Sequence, residues 1–248
     1  MNLAIIQARM GSSRLPQKVL KKLGDKTILD HVVTRVRDST FIDEVIVATT
    51  INVEDIDIVE FCASKKIRVF VGSEQDVLDR YYQAARLLQP THVVRITSDC
   101  PMIDPEVVDM IGQKHLAEKA DYTSNTLEET FPDGLDAEIF TFPALEKAWT
   151  EAQLQSEREH VTPYIKKHPE LFKTISVKHS VDLSFMRWTI DQQEDFMFLH
   201  EIFTRLYSKN PAFRMADVLA EINKDPELLK FNGNIIRNEG YLKSLMKD

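Results

Sequence analysis

The sequence predicts an α/β fold, a mainly parallel β-sheet flanked by helices with an excursion at the sheet edge, and three observations carry that expectation. Apolar, β-branched runs recur at 3–6, 45–49, 67–71 and 92–96, each of a length that suits a strand buried on both faces. Segments of helical spacing fill the gaps: Ile56, Val59 and Ala63 fall at i, i+3 and i+7, and Val77, Tyr81, Ala84 and Leu88 form a similar stripe. Such stripes are core contacts rather than ligand contacts. Residues 121–142 then break the alternation with Asn125, Pro132 and Gly134, which predicts a longer path over the sheet edge.

Beyond the fourth run, Asp104-Pro105-Glu106 is a helix start, with Asp as N-cap and Pro at the first helical position, so Asp104 is structural. A strand is predicted at 135–140, helices at 143–152 and 156–167, strands at 175–177 and 186–190, and helices at 194–208 and 215–223. No segment repeats, and the one Pro/Gly cluster is the turn at 132–134. Residues 1–248 are therefore expected to form a single domain, carrying a substrate-facing excursion near 121–180.

With 43% hydrophobic and 28% charged residues, the 248-residue chain has the composition of a soluble globular protein. Its net charge of −8 argues against nucleic-acid or anionic-membrane partners, which need a cationic face. Two cysteines, Cys62 and Cys100, imply no disulfide framework and suit a reducing cytoplasm. Met1-Asn2 lacks the basic start of a signal peptide, and no segment approaches membrane-spanning length.

The first apolar run breaks into a loop, 8–18, crowded with small and cationic residues. Gly11, Ser12 and Ser13 have little bulk, so backbone N–H groups can close on an anion, while Arg9, Arg14 and Lys18 can neutralise several phosphate charges. A nucleoside triphosphate is the natural guest. The spacing fits neither the Walker A pattern nor the dinucleotide G-x-G-x-x-G fingerprint. The competing reading is a surface loop whose basic residues face water.

Carboxylates supply the second set of candidates. Asp99 follows the run at 92–96, where open α/β sheets place their ligands, and could hold a magnesium ion or cap the turn before Pro101. Asp191 ends the run at 186–190, on the same expected sheet edge; it could join Asp99, or act as N-cap in an Asp191-x-x-Glu194 capping box. Asp195 is expected to be solvated or to support Asp191. Asp136 and Glu138, two apart on an expected strand after the 132–134 turn, share a face from which both can accept hydrogen bonds from sugar hydroxyls. Cys100 has no local histidine to activate it and is expected to be a buried thiol. Arg95 suits a core ion pair, and the role of His160 stays open.

These residues carry a resemblance. Ala8-Arg9, Ser13-Arg14-Leu15-Pro16 and Lys18 resemble the N-terminal signature of the cytidylyltransferases that activate 3-deoxy-manno-octulosonate and acylneuraminates. The likeness is greatest to the spore-coat polysaccharide biosynthesis (type F) group. There it extends through Thr97-Ser-Asp-Cys-Pro101, Pro132-Asp-Gly-Leu-Asp-Ala-Glu138, Glu157-Arg-Glu-His-Val-Thr-Pro163 and Arg187-Trp-Thr-Ile-Asp191. Two departures stand out: Gln17 replaces a glycine common before the lysine, and Gln192-Gln193 replaces a common Thr-Pro.

The resemblance implies a Rossmann-like (GT-A type) fold and a cytoplasmic, magnesium-dependent enzyme that transfers CMP from CTP to an acidic or modified sugar for surface glycan synthesis, releasing pyrophosphate. It assigns the nucleotide to Ala8, Arg9, Gly11, Ser12 and Ser13, catalysis to Arg14 and Lys18, and the metal to Asp99 and Asp191. It also suggests a homodimer, formed through the excursion. Alternatives are a glycosyltransferase using a nucleotide-sugar donor, or a nucleotide-binding protein that turns nothing over. A nucleotide-sugar has no γ-phosphate to occupy so much positive charge in the loop.

Overall fold

The computed structural model describes residues 1–12, 14–246 and 248. Strand β1 (Asn2–Gln7) is followed by a short antiparallel hairpin, β2 (Lys22–Leu23) and β3 (Lys26–Thr27), and by helix α1 (Ile28–Arg37). The Thr27 hydroxyl caps α1 by accepting from the Asp30 N–H at 3.1 Å. Strand and helix then alternate through β4 (Glu44–Thr50), α2 (Ile56–Ser64), β5 (Arg68–Gly72), α3 (Val77–Leu88), β6 (His92–Thr97) and α4 (Pro105–Glu118). The expected cap holds: Asp104 accepts from the Glu106 N–H at 2.9 Å.

The excursion adds β7 (Tyr122–Ser124), β8 (Glu138–Thr141), α5 (Phe142–Glu151), α6 (Gln155–His160), α7 (Pro163–Lys167) and β9 (Thr174–Ser176). After it come α8 (Gln193–Leu206), α9 (Met215–Lys224) and α10 (Glu239–Leu245). One helix had been expected across 156–167. Instead Val161 adopts φ 72° between α6 and α7, and Pro163 has no N–H with which to continue the α6 ladder.

Seven strands form one sheet in the order β5-β4-β1-β6-β8-β7-β9. Pairing is parallel from β5 to β6; β8 runs antiparallel to both neighbours, and β9 returns parallel to β7. Residues of β1 alternate between two apolar layers. Ala4 and Ile6 join a cluster with α1, α4 and α8, while Leu3 and Ile5 join one with α3 and α5. Burial on both faces is why these strands read as continuous apolar runs. Among the described residues no helix is long and apolar enough to cross a membrane.

The strand expected at 186–190 is not one. Arg187 makes an isolated parallel bridge with Asp133, through Asp133 N–H to Met186 C=O at 2.9 Å and Trp188 N–H to Asp133 C=O at 2.6 Å. Trp188 and Ile190 are apolar because they lie buried in the core layer, not because they alternate along a sheet.

Candidate active site

Strand order reverses between β1 and β6, which pair through Gln7 and Thr97 at their carboxyl ends. Crevices at such reversals are where open α/β sheets bind ligands. The loop leaving β1 is pinned there by backbone bonds: Ala8 N–H donates to Ala48 C=O at 3.0 Å, and Gln17 N–H to Met10 C=O at 3.3 Å. Buried Asp55 accepts from the Met10 N–H at 2.6 Å while also accepting from the Thr50 hydroxyl. Gly11 lies where an added Cβ would stand 3.2 Å from Glu54 Oε1. Ser12 accepts from the Leu15 N–H at 3.3 Å, and Ser13 lies outside the described residues.

Gln17 holds φ 57° and ψ 21°, left-handed backbone that disfavours side chains. This explains why the resembling family commonly has glycine there. The turn drives Lys18 inward, so for this residue the reading of a basic side chain facing water is excluded: it is 8% exposed. Its Nζ donates to Asp99 Oδ2 at 2.8 Å, Asp191 Oδ1 at 2.9 Å and the Ile190 carbonyl at 2.6 Å. Burial alone would lower the ammonium pKa, but the two carboxylates outweigh it and raise it. In the same way burial would raise Asp99, and Lys18 instead holds it down to about 2.

Asp191 is not the cap of α8. Gln192 takes that position, and it is Asp195, fully buried rather than solvated, that accepts from the Asp191 and Gln192 N–H groups at 2.9 and 3.0 Å. Freed from capping, the Asp191 carboxylate faces Lys18, Arg14 Nη2 at 3.2 Å and Arg187 Nη2 at 2.9 Å. Arg14 also reaches Glu239 at 2.6 Å. Arg9, more exposed, sits apart beside Glu74 at 3.7 Å.

Arg187, Asp133 and Arg237 form a layer that residue-by-residue reading missed. The Arg187 guanidinium spans Asp133 at 2.7 Å, Asp191 at 2.9 Å and Asp195 at 2.9 Å. Asn232 steadies it from below, donating to Arg187 C=O and Asp195 at 3.0 and 2.9 Å. Gly134 lets Asp133 approach: its φ is 111°, and an added Cβ would lie 2.6 Å from the Trp188 carbonyl carbon. Burial, then Asp136, pushes the Asp133 carboxyl up to about 7. Spacing offered one signal, the i,i+4 separation of Arg187 and Asp191; nothing in spacing ties residue 187 to a turn near 133.

Asp136 accepts from Arg237 Nη2 at 2.8 Å and keeps part of its carboxylate accessible. Glu138 was expected to face a sugar beside it and faces inward instead. Its oxygens take Arg95, the Tyr122 hydroxyl at 2.5 Å, the Thr162 hydroxyl at 2.6 Å and Lys166 at 2.7 Å. Burial would raise this carboxyl, and Lys166 with Arg95 instead pulls it far down. Arg95 thus makes the expected core ion pair. Cys100 is a buried thiol that burial pushes well up. His160 bonds the Ser244 hydroxyl at 2.9 Å and packs against Tyr241.

Fold and site together define a class: an α/β protein that turns a cationic loop and a carboxylate pair toward one crevice at a strand-order reversal. Comparison with known proteins narrows it. A cytidylyltransferase family model matches residues 3–225. An uncharacterized protein of Methanocaldococcus jannaschii is 41% identical over 241 residues, 96% of this chain and 97% of its own length. The spore coat polysaccharide biosynthesis protein SpsF of Bacillus subtilis is 33% identical over 232 residues, covering 91% and 95%. A solved cytidylyltransferase from Leptospira borgpetersenii superposes with a TM-score of 0.88 at 34% identity, covering 95% of this chain and 98% of that one. The chain belongs to the cytidylyltransferase family and is a nucleotidyltransferase enzyme.

Proposed function

We propose that the enzyme transfers CMP from CTP to a hydroxyl of an acidic or modified sugar and releases pyrophosphate, in the synthesis of a surface glycan. The observation that carries this reading is the Lys18 ammonium seated between Asp99 and Asp191 at the β1/β6 reversal. Two hard carboxylate oxygens already arranged around one cation fit Mg²⁺, which takes one or two protein carboxylates and completes its shell with water and phosphates. Asp99 and Asp191 would hold it, and when bound it supplies positive charge to the phosphates.

The chain's own residues do the rest. Arg14 and Lys18 meet the charge that develops on the departing pyrophosphate, and Arg9 with the Gly11–Ser12 backbone grips the triphosphate. The Arg187 fork fixes Asp191 from behind, so the carboxylate is set before substrate arrives. Asp136 accepts from sugar hydroxyls, with Arg237 as an adjacent donor. Positioning and electrostatics carry the transfer, so no general base is required.

SpsF, named for polysaccharide biosynthesis, supports the glycan role. The test is to incubate the purified enzyme with each nucleoside triphosphate and a panel of sugars, with Mg²⁺ or with chelator, and to measure pyrophosphate. Release only with CTP, a sugar and Mg²⁺ is expected; release without sugar, or undiminished by chelator, overturns it.

A further inference from the structure

A cavity of about 130 Å³ opens between α1 and the segment leading into α9, lined among others by Lys26, Thr34, Arg35, Asp38, Tyr207 and Arg214. It shares no residue with the crevice described above. Its charge is unusual for a chain of net charge −8: three cations face one carboxylate. His31, also in the wall, is pulled below its ordinary pKa, chiefly by burial.

Arg35 is 4% exposed. One of its nitrogens donates to the Phe213 carbonyl at 2.8 Å, and the guanidinium lies 4.2 Å over the Phe213 ring. Its Nη2 has no partner among the described residues, and neither has Arg214 Nη1. The carboxylates beside Arg214, Asp38 and Glu106, stand at 4.0 and 3.9 Å, beyond hydrogen-bond range. Burial, with Arg214 adjacent, pulls Arg35 down to about 10. Arg35 is thus a buried guanidinium with a donor left over, which an anion in the cavity would satisfy, and the partly buried Arg214 adds a second spare donor beside it.

We propose that this cavity binds a tetrahedral oxyanion of the phosphate type. Arg35 from α1, Arg214 from the approach to α9 and Lys26 from β3 converge from three directions, as an ion with four acceptor oxygens requires; planar guanidinium forks suit such oxygens. The cavity has room for one such group. The ion is either free orthophosphate or the end of a small phosphomonoester.

Calorimetric titration of the purified protein, in chloride buffer, with inorganic phosphate and separately with glycerol phosphate tests this. Phosphate is expected to bind wild-type and Lys18→Ala protein alike, and to bind Arg214→Gln and Lys26→Gln at least about tenfold more weakly, the loss of one charge-assisted bond. Neither of these two side chains is fully buried, so both variants should fold, which melting curves verify; Arg35→Gln adds a third if it folds. Tighter binding of glycerol phosphate than of phosphate would assign the ester as ligand, and the reverse the free ion. Absence of binding, binding lost in Lys18→Ala, or binding unchanged in Arg214→Gln and Lys26→Gln overturns the proposal.

Discussion

Lys18 Nζ lies 2.9 Å from Asp191 Oδ1, joining residues 173 positions apart in the chain. The same ammonium holds Asp99, so one side chain keeps two carboxylates from repelling each other, and under the proposed function it also presents charge to phosphate.

Lys18→Ala should therefore lose both. Removing one preorganised charge contact costs about 10²–10³ in kcat. Stability should also fall, by roughly 2 kcal/mol, less than the 3–5 kcal/mol typical when a fully buried pair is broken, because both carboxylates remain partly solvated. Mg²⁺ should raise the melting temperature of Lys18→Ala more than that of wild type, since it replaces the missing cation. Wild-type turnover in the variant, or an equal Mg²⁺ shift in both proteins, would refute this account.

Asp99→Asn and Asp191→Asn should each remove Mg²⁺-dependent turnover, because an amide keeps the shape while losing the charge a hard cation needs. Gln192, not Asp191, caps α8, so Asp191→Asn should leave the helix signal in circular dichroism unchanged. Full activity with a lower melting temperature would mean that Asp191 merely anchors Arg187.

Gln17→Gly should stabilise the protein by up to about 1 kcal/mol. The left-handed conformation costs a side chain about 1–2 kcal/mol, and glycine returns part of this as extra unfolded-state entropy. Urea unfolding should show a higher midpoint at unchanged slope. Gly134→Ala, at φ 111° against the Trp188 carbonyl, should do the opposite and lower the midpoint.

Acid should weaken the fold through His115. Its ring contacts the Thr123 hydroxyl at 2.9 Å and His92 at 3.0 Å, and burial, then His92, pulls its pKa down to about 4. The unfolded imidazole titrates near 6.5, so the unfolded state binds the proton first. This contribution to stability is complete above about pH 6.5 and is lost as pH falls toward 4, with a slope of up to about 1.4 kcal/mol per pH unit. Unfolding free energies measured from pH 7 to 4.5 should fall more steeply in wild type than in His115→Gln; parallel curves would clear this histidine.

The parallel core was legible because strands buried on both faces must be apolar throughout, and 3–6, 45–49 and 92–96 say so locally. Helix α1 was not singled out, although Ile28, Leu29, Val32, Val33 and Val36 follow its period behind the Thr27 cap. Asp99 was legible as a carboxylate just beyond a strand, and Lys18 and Asp191 as charged types in the loop after β1 and after an apolar run that proved not to be a strand. What spacing could not give is direction: the inward turn at Gln17, the displacement of the α8 cap to Gln192, and the reach of Arg187 to Asp133. Each depends on a backbone dihedral or on a contact between distant segments, and neither leaves a periodic trace.

Asp136 and Glu138 were read alike and are now separable. Glu138 meets four internal partners, so Glu138→Gln removes a charge that Arg95 and Lys166 both require; it should lower the melting temperature and reduce activity toward CTP and sugar together. Asp136 has Arg237 on one oxygen and solvent at the rest of its carboxylate. Asp136→Ala should then raise the sugar KM or lower kcat while CTP binding, measured by calorimetry, stays nearly unchanged, because the proposed acceptor contact and the Arg237 pair are lost while the nucleotide loop is untouched. Arg237→Ala should share that split, since it loses the donor that orients Asp136. Equal loss for both ligands in Asp136→Ala, or none for either, would place the sugar elsewhere on the excursion.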